Sequence, residues 1–266
     1  TQLDKPVVIE KDIKGKEKDP TVIVQAFQYS DFLGTVDVKF DFKGKVVQSD
    51  GQLVKVSDQQ EDPEAAAMLK EYSEKLKEIT NKSIGATAES ELTNPRTDSD
   101  GKGVSVRNSE TALGNIITDG MLAKAKKYDE NIIMALQNGG GIRAGIPAGD
   151  ITVGEVITVL PFGNTLATMS VTGAELKSAF EISFKSYPSE NGGFLHVSGG
   201  KVEFDSTKPA GERVVSIAYK DKDGNFTPIQ DDKTYKIATN AFTAKGGDGF
   251  TMFAKAYSEG RVTDLG

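Results

Sequence analysis

The chain has 266 residues, 37% hydrophobic and 27% charged, with a formal net charge of −7, one histidine and no cysteine. That length builds a real core in one large or two unequal parts, and the missing cysteines exclude disulfides, thiolate metal sites and cysteine nucleophiles. The acidic balance argues against nucleic acid as a partner, because phosphate-backbone binding needs a Lys/Arg surplus, while one small phosphorylated molecule needs only a few local arginines.

From Pro6 to about Val56 the pattern is β, with β-branched runs at 7–9, 21–25 and 34–42 and a hairpin signal at Lys43-Gly44-Lys45. The charged stretch 11–19 reads as a solvated loop. Asp62 and Pro63 then cap a helix over 64–80, whose Met68, Leu69, Tyr72, Leu76 and Ile79 share one stripe that calls for a packing partner. Residues 86–108 are polar loop, and a second helix runs from Glu110 to Lys127 with Leu113, Ile116, Ile117, Met121, Leu122 and Ala125 inward. The apolar run 131–136 is a buried strand. Helix 173–187 follows, and then strands at 202–204, 213–219 and 234–239, with a turn at Asp223-Gly224-Asn225. No stretch reaches the length of about 20 apolar residues that a membrane crossing requires. Thr1–Lys5 lacks the basic start and apolar run of a signal peptide.

The chemistry concentrates in glycine-rich turns. Asn138-Gly139-Gly140-Gly141-Ile142-Arg143 follows the buried strand. Three glycines let a ligand approach the main chain and leave amides free for an anion, and Arg143 adds a fork suited to phosphate. A strand-ending turn with a surface arginine is an equal reading of the glycines alone. The run is neither a Walker loop, since no Gly-Lys-Ser/Thr follows, nor a Rossmann fingerprint, since Ile146-Pro147 opens no helix. Phe162, between Pro161 and Gly163, and Phe242, leading into Gly246-Gly247-Asp248-Gly249, place two rings in turns, where they can sandwich a flat heterocycle. Asp248 suits vicinal ribose hydroxyls, and Asn138 and Asn164 suit base edges; each has a turn-stabilising role as its alternative. His196 alternates in a strand and reads as structural, with no second histidine to complete a metal pair.

Taken together, Glu110–Asn115, Asn138–Arg143, Leu160–Asn164 and Phe242–Phe250 closely resemble the C-terminal domain of the 5'-nucleotidase and UDP-sugar hydrolase family, over roughly residues 80 to 257. The resemblance implies an α+β, four-layer α/β/β/α substrate-binding domain at 83–266. Before it would come β-strands from the end of a metallophosphoesterase domain (1–60) and an interdomain linker helix (61–82). It implies that Phe162 and Phe242 stack the base, that Arg143 and Arg107 hold phosphate, and that Asp248 binds ribose hydroxyls. Asn138 and Asn164 would contact the base or its surroundings, with Gly140, Gly141 and Gly247 shaping the site. Ala112 and Ser109 depart from the family, which usually has asparagine at the first position and in some members arginine at the second.

The family's Asp-x-His, Gly-Asn-His-Glu and Gly-His-x-His metal motifs are absent from this sequence. The resemblance therefore implies no catalytic residue, metal ligand or cofactor in this chain, and two divalent metal ions on a catalytic domain of the same parent chain. The whole would be a phosphoric monoester hydrolase, extracellular, at the cell surface or periplasmic, and this chain alone would be inactive. The alternative is a stand-alone nucleoside-binding surface protein without catalysis.

Overall fold

The computed structural model describes residues 3–27, 29–98 and 101–266. They form two units, Thr1–Lys75 and Leu76–Gly266. In the first, the β-branched runs make two antiparallel hairpins, β1 (Val7–Lys11) with β2 (Glu17–Ile23) and β3 (Phe32–Phe40) with β4 (Val46–Lys55). Each turn is closed by an aspartate. Asp12 accepts the amides of Lys14 and Lys16, and Asp41 those of Lys43 and Lys45, all at 2.8–2.9 Å. The expected loop at 11–19 is therefore shorter than its charge suggested, because Glu17–Asp19 already pair in a ribbon whose faces both meet solvent. No described residue of this unit is buried.

Helix α1 (Pro63–Thr80) starts as its punctuation predicts, with Asp62 Oδ1 accepting the amides of Glu64 and Ala65 at 2.9 Å. Its apolar stripe is another matter. Met68, Leu69, Tyr72, Leu76 and Ile79 are each more than half exposed, so the expected packing partner is not found among the described residues. Periodicity reports an amphipathic helix but not what covers it. The division between units falls within this helix, after Lys75.

The second unit runs β5 (Ser83–Ala88), α2 (Ala112–Lys126), β6 (Ile132–Asn138), β7 (Gly149–Thr152), α3 (Val153–Val159), β8 (Leu166–Thr172), α4 (Gly173–Phe184), β9 (Leu195–Ser198), β10 (Gly200–Phe204), β11 (Val214–Lys220), β12 (Phe226–Pro228), β13 (Thr234–Asn240), α5 (Ala241–Ala244), α6 (Thr251–Ser258) and β14 (Val262–Asp264). A five-stranded sheet in the order β14-β8-β13-β6-β9 forms its centre, beside an antiparallel sheet β10-β11-β12. The expected α+β class holds. Only β13 and β6 run parallel within the central sheet, with Ile237 opposite Met134 and Thr239 opposite Leu136.

Strand alternation supplies two faces. On one, Leu122 and Ala125 of α2 pack on Ala135 and Ala238. On the other, Met134, Leu136, Met169, Val171 and Ile237 meet Leu176, Phe180 and Phe184 of α4, Phe253 of α6, and Val214 and Ile217 of the second sheet. Helix α2 is capped by Thr111, whose hydroxyl accepts the Gly114 amide at 3.1 Å, one residue beyond the expected start. Its inward face is narrower than expected: Ile116 is 51% exposed. The polar stretch 86–108 contributes its first three residues to β5, which pairs with β7. Helix α4 stops at Phe184 rather than 187, ahead of Pro188, which disfavours helical geometry in the residue before it.

Candidate functional site

Because β6 and β13 are parallel neighbours, their carboxyl ends emerge side by side, the place where open α/β sheets present their ligand-binding loops. Strand β6 ends at Asn138 and passes into a tight 3-10 turn, Gly139–Gly141. Close approach explains these glycines. A Cβ on Gly139 would lie 2.1 Å from the Val106 carbonyl oxygen, one on Gly140 3.0 Å from that of Gly192, and one on Gly141 2.4 Å from Gln137 Nε2. The expectation that this run frees its amides for an anion is corrected at two positions. The Gly139 amide donates to Phe194 O at 2.7 Å and that of Gly140 to Gly192 O at 2.8 Å, so the turn is stitched to the 192–194 segment.

Arg107, Asn138, Gly140, Gly141, Arg143, Phe162, Asn164, Phe242 and Asp248 all line one cavity of about 530 Å3, joined by Gly192. Residues drawn from five separate stretches of the sequence are thereby brought together at one opening. Phe162 sits in the turn between α3 and β8, and Phe242 is the second residue of α5; they are 59% and 43% exposed, so neither ring is spent in a core. The guanidinium carbon of Arg143 lies 5.7 Å from the centroid of the Phe162 ring, within cation–π range. Arg107 is half-buried, and its Nε has no hydrogen-bond partner among the described residues.

Gly247 does not line the cavity but seats the ring beside it, since a Cβ there would lie 2.4 Å from Cε1 and Cζ of Phe242. Asp248 follows at φ +56, a left-handed conformation that aspartate tolerates better than most side chains. Its Oδ2 accepts from Asn138 Nδ2 at 2.7 Å. Asn138 is only 3% exposed, and its Oδ1 accepts from Gln137 Nε2 at 3.1 Å and Asn240 Nδ2 at 3.0 Å. Its amide is thus engaged by protein on both sides. Sequence reasoning gave no role to Gly192, Gln137 or Asn240; for Gln137 the available signal was a polar pair, Gln137-Asn138, ending the otherwise apolar strand β6.

His196 stands apart from this constellation. A carbonyl only accepts, so the 2.9 Å contact of Nε2 with Val106 O places the proton on Nε2, and Nδ1, against Gly114, has no hydrogen-bond partner among the described residues. Burial lowers its pKa, against the raising effects of the Val106 bond and the Glu110 charge. By holding Val106, the ring fixes the segment that carries Arg107, the structural role its strand position suggested. It also borders a second cavity, of about 570 Å3, lined in part by the aromatic rings of Phe184, Tyr187 and Phe204. Phe184 and Phe204 already stack on each other there, with centroids 4.1 Å apart.

Residues 84–255 match the family described as 5'-nucleotidase, C-terminal domain. The chain belongs to that family. It is 40% identical over 260 residues to the trifunctional nucleotide phosphoesterase protein YfkN of Bacillus subtilis, covering 96% of this chain and 17% of that protein. It is 33% identical over 256 residues to a snake venom 5'-nucleotidase of Naja atra, covering 91% and 47%. The crystal structure of a 5'-nucleotidase precursor from Thermus thermophilus superposes with a TM-score of 0.71 at 38% identity, covering 98% of this chain and 48% of that one. This 5'-nucleotidase C-terminal domain chain therefore spans less than half the length of each of these relatives. Among its described residues no group of three or more His, Cys, Asp or Glu side chains converges as a metal site, so its own donor set does not fit a two-metal centre. No helix among them is long and apolar enough to cross a membrane.

Proposed function

We propose that this chain is the nucleotide-gripping half of a two-domain 5'-nucleotidase, which hydrolyses a nucleotide phosphoester to nucleoside and phosphate. The observation that carries the reading is the convergence of two exposed phenylalanines, two arginines and a carboxylate on one opening. Phe162 and Phe242 stack a base, Asp248 accepts from ribose hydroxyls, and Arg107 and Arg143 attract the phosphate, with Asn164 at the base edge. Stacking tolerates any base, so the clamp selects nucleotides as a class. Its contribution to rate is orientation: binding energy gathered on the nucleoside holds the phosphoester where another domain acts on it.

In this reading the two divalent metal ions belong to the partner domain of the parent chain, and residues 1–60 complete that domain's sheet. The two hairpins support this assignment, because they leave Val7, Ile13, Phe40 and Phe42 exposed and bury nothing themselves. Helix α1 then serves as the linker, with its uncovered stripe available to neighbouring chain. Likeness to a venom protein supports an extracellular, cell-surface or periplasmic setting. Calorimetry on this chain should show adenosine and AMP binding, abolished in the double variant Phe162→Ala with Phe242→Ala. Unchanged affinity in the double variant would remove the clamp.

A further inference from the structure

We propose that Asn240, with Gln137, is a positioning residue that makes ribose recognition depend on the orientation of one buried amide; this rests on the nucleoside reading of the cavity. The two strand ends meet in a lattice of side-chain amides with almost no solvent contact: Gln137, Asn138 and Asn240 are 4%, 3% and 5% exposed. Asn240 Nδ2 donates to both Gln137 Oε1 and Asn138 Oδ1 at 3.0 Å. Gln137 Nε2 donates to Asn138 Oδ1 and to its main-chain oxygen, both at 3.1 Å. The Thr243 hydroxyl adds a longer bond to the same Asn138 Oδ1 at 3.4 Å. Three donors converging on one oxygen of Asn138, two of them amides at 3.0–3.1 Å, fix which way its amide faces, and Nδ2 is thereby turned toward Asp248 Oδ2, 2.7 Å away.

Asp248 needs that anchor. It sits at positive φ among Gly246, Gly247 and Gly249, a stretch of backbone with little side-chain packing of its own. Asn240 also caps the turn that carries Phe242, its Oδ1 accepting the Thr243 amide at 2.9 Å. One asparagine thus bears on both the stacking ring and the carboxylate, through opposite ends of its amide. The substitution Asn240→Asp separates the two. Aspartate is an equally good cap, so the Phe242 turn persists, while the former donor becomes an acceptor facing Asn138 Oδ1. Relieving that repulsion flips the Asn138 amide, which then presents oxygen to the Asp248 carboxylate and drives it from its place.

The test is calorimetric titration of the chain with adenosine and with 2',3'-dideoxyadenosine. The wild type should prefer adenosine by about tenfold to a hundredfold, the range for hydrogen bonds to a charged group. Asn240→Asp should bring adenosine down to the affinity of the dideoxy compound, itself unchanged. Gln137→Met, which removes one of the two amide donors to Asn138 Oδ1 without adding charge, should narrow the preference in part and serves as the test if the aspartate variant does not fold. A full preference retained in either folded variant, or an equal loss for both ligands, would overturn the proposal. A wild type that binds neither ligand would instead refute the nucleoside reading beneath it.

Discussion

Replacing Gly247 by alanine adds one methyl group beneath the Phe242 ring and little else. The backbone at Gly247 has no left-handed torsion, so alanine imposes no strain of its own. Its Cβ would lie 2.4 Å from two carbons of the Phe242 ring and 2.6 Å from a third. Ordinary carbon contacts are about 3.5–4.0 Å, so the ring must retreat by about 1 Å or rotate out of its seat. Because the ring is 43% exposed, it has somewhere to go, and the fold should lose little stability. One stacked face is worth about 1–3 kcal/mol, so adenosine should bind about fivefold to a hundredfold more weakly. Calorimetry measures the affinity and a thermal melt checks the fold. The decisive comparison is a cycle with Phe242→Ala. If the methyl acts only through the ring, Gly247→Ala adds nothing once the ring is gone. An equal loss in that background, or no loss at all with the fold intact, would refute the reasoning.

Arg143→Ala and Arg107→Ala should each weaken AMP more than adenosine, by about tenfold for a charge-assisted contact; calorimetry at two salt concentrations checks both, and equal losses for the two ligands would remove the phosphate role. His196 should make stability fall with acid. Its folded pKa is lowered by burial, so between that value and the unfolded 6.5 the unfolded state binds more protons, and stability present above pH 6.5 declines as pH drops through the window. Denaturant midpoints from pH 8 to pH 5 should therefore show the wild type losing its advantage over His196→Gln; a constant difference would refute it. Arg261 pairs with Glu175 through two bonds of 2.7 and 2.9 Å, and the Arg261 bond holds the Glu175 carboxyl below its usual 4.5. Arg261→Met should cost on the order of 1–3 kcal/mol in denaturant unfolding at pH 7, and less as pH falls through 4.5, because a depressed carboxylate stabilises only above its folded pKa.

The sequence made legible what depends on local rules. Asp62 and Pro63 announced α1, the apolar run 131–136 announced β6, and glycines beside Phe162 and Phe242 announced exposed rings. Capping boxes at Thr152 with Glu155 and Thr172 with Glu175 were equally local signals, and the first would have revealed α3. Helix α5, with four residues, is too short for any periodicity to register. Asn138 was legible as a site residue but not in its bonding, because its partner Asp248 lies 110 positions away. The glycine turn likewise looked like an anion cradle until the carbonyls of Gly192 and Phe194 were placed against it. In both cases residue type fixed the location, and long-range packing fixed what the atoms do there.

That division bears on how the site achieves selectivity. A buried amide lattice returns little net stability, since its groups give up water for bonds of similar strength, and any member left unsatisfied becomes costly. Apolar side chains at positions 137 and 240 would continue the strands without that risk. What the amides add is direction: each oxygen and nitrogen admits one kind of partner, so the lattice can settle in only one arrangement. In the proposed clamp the carboxylate at its edge would inherit that single orientation and reach the ligand without having to be ordered by it, which would lower the entropy cost of binding. A clamp that tolerates every base through stacking would then draw its discrimination from the sugar, where the protein has fixed the direction of a hydrogen-bonding group in advance.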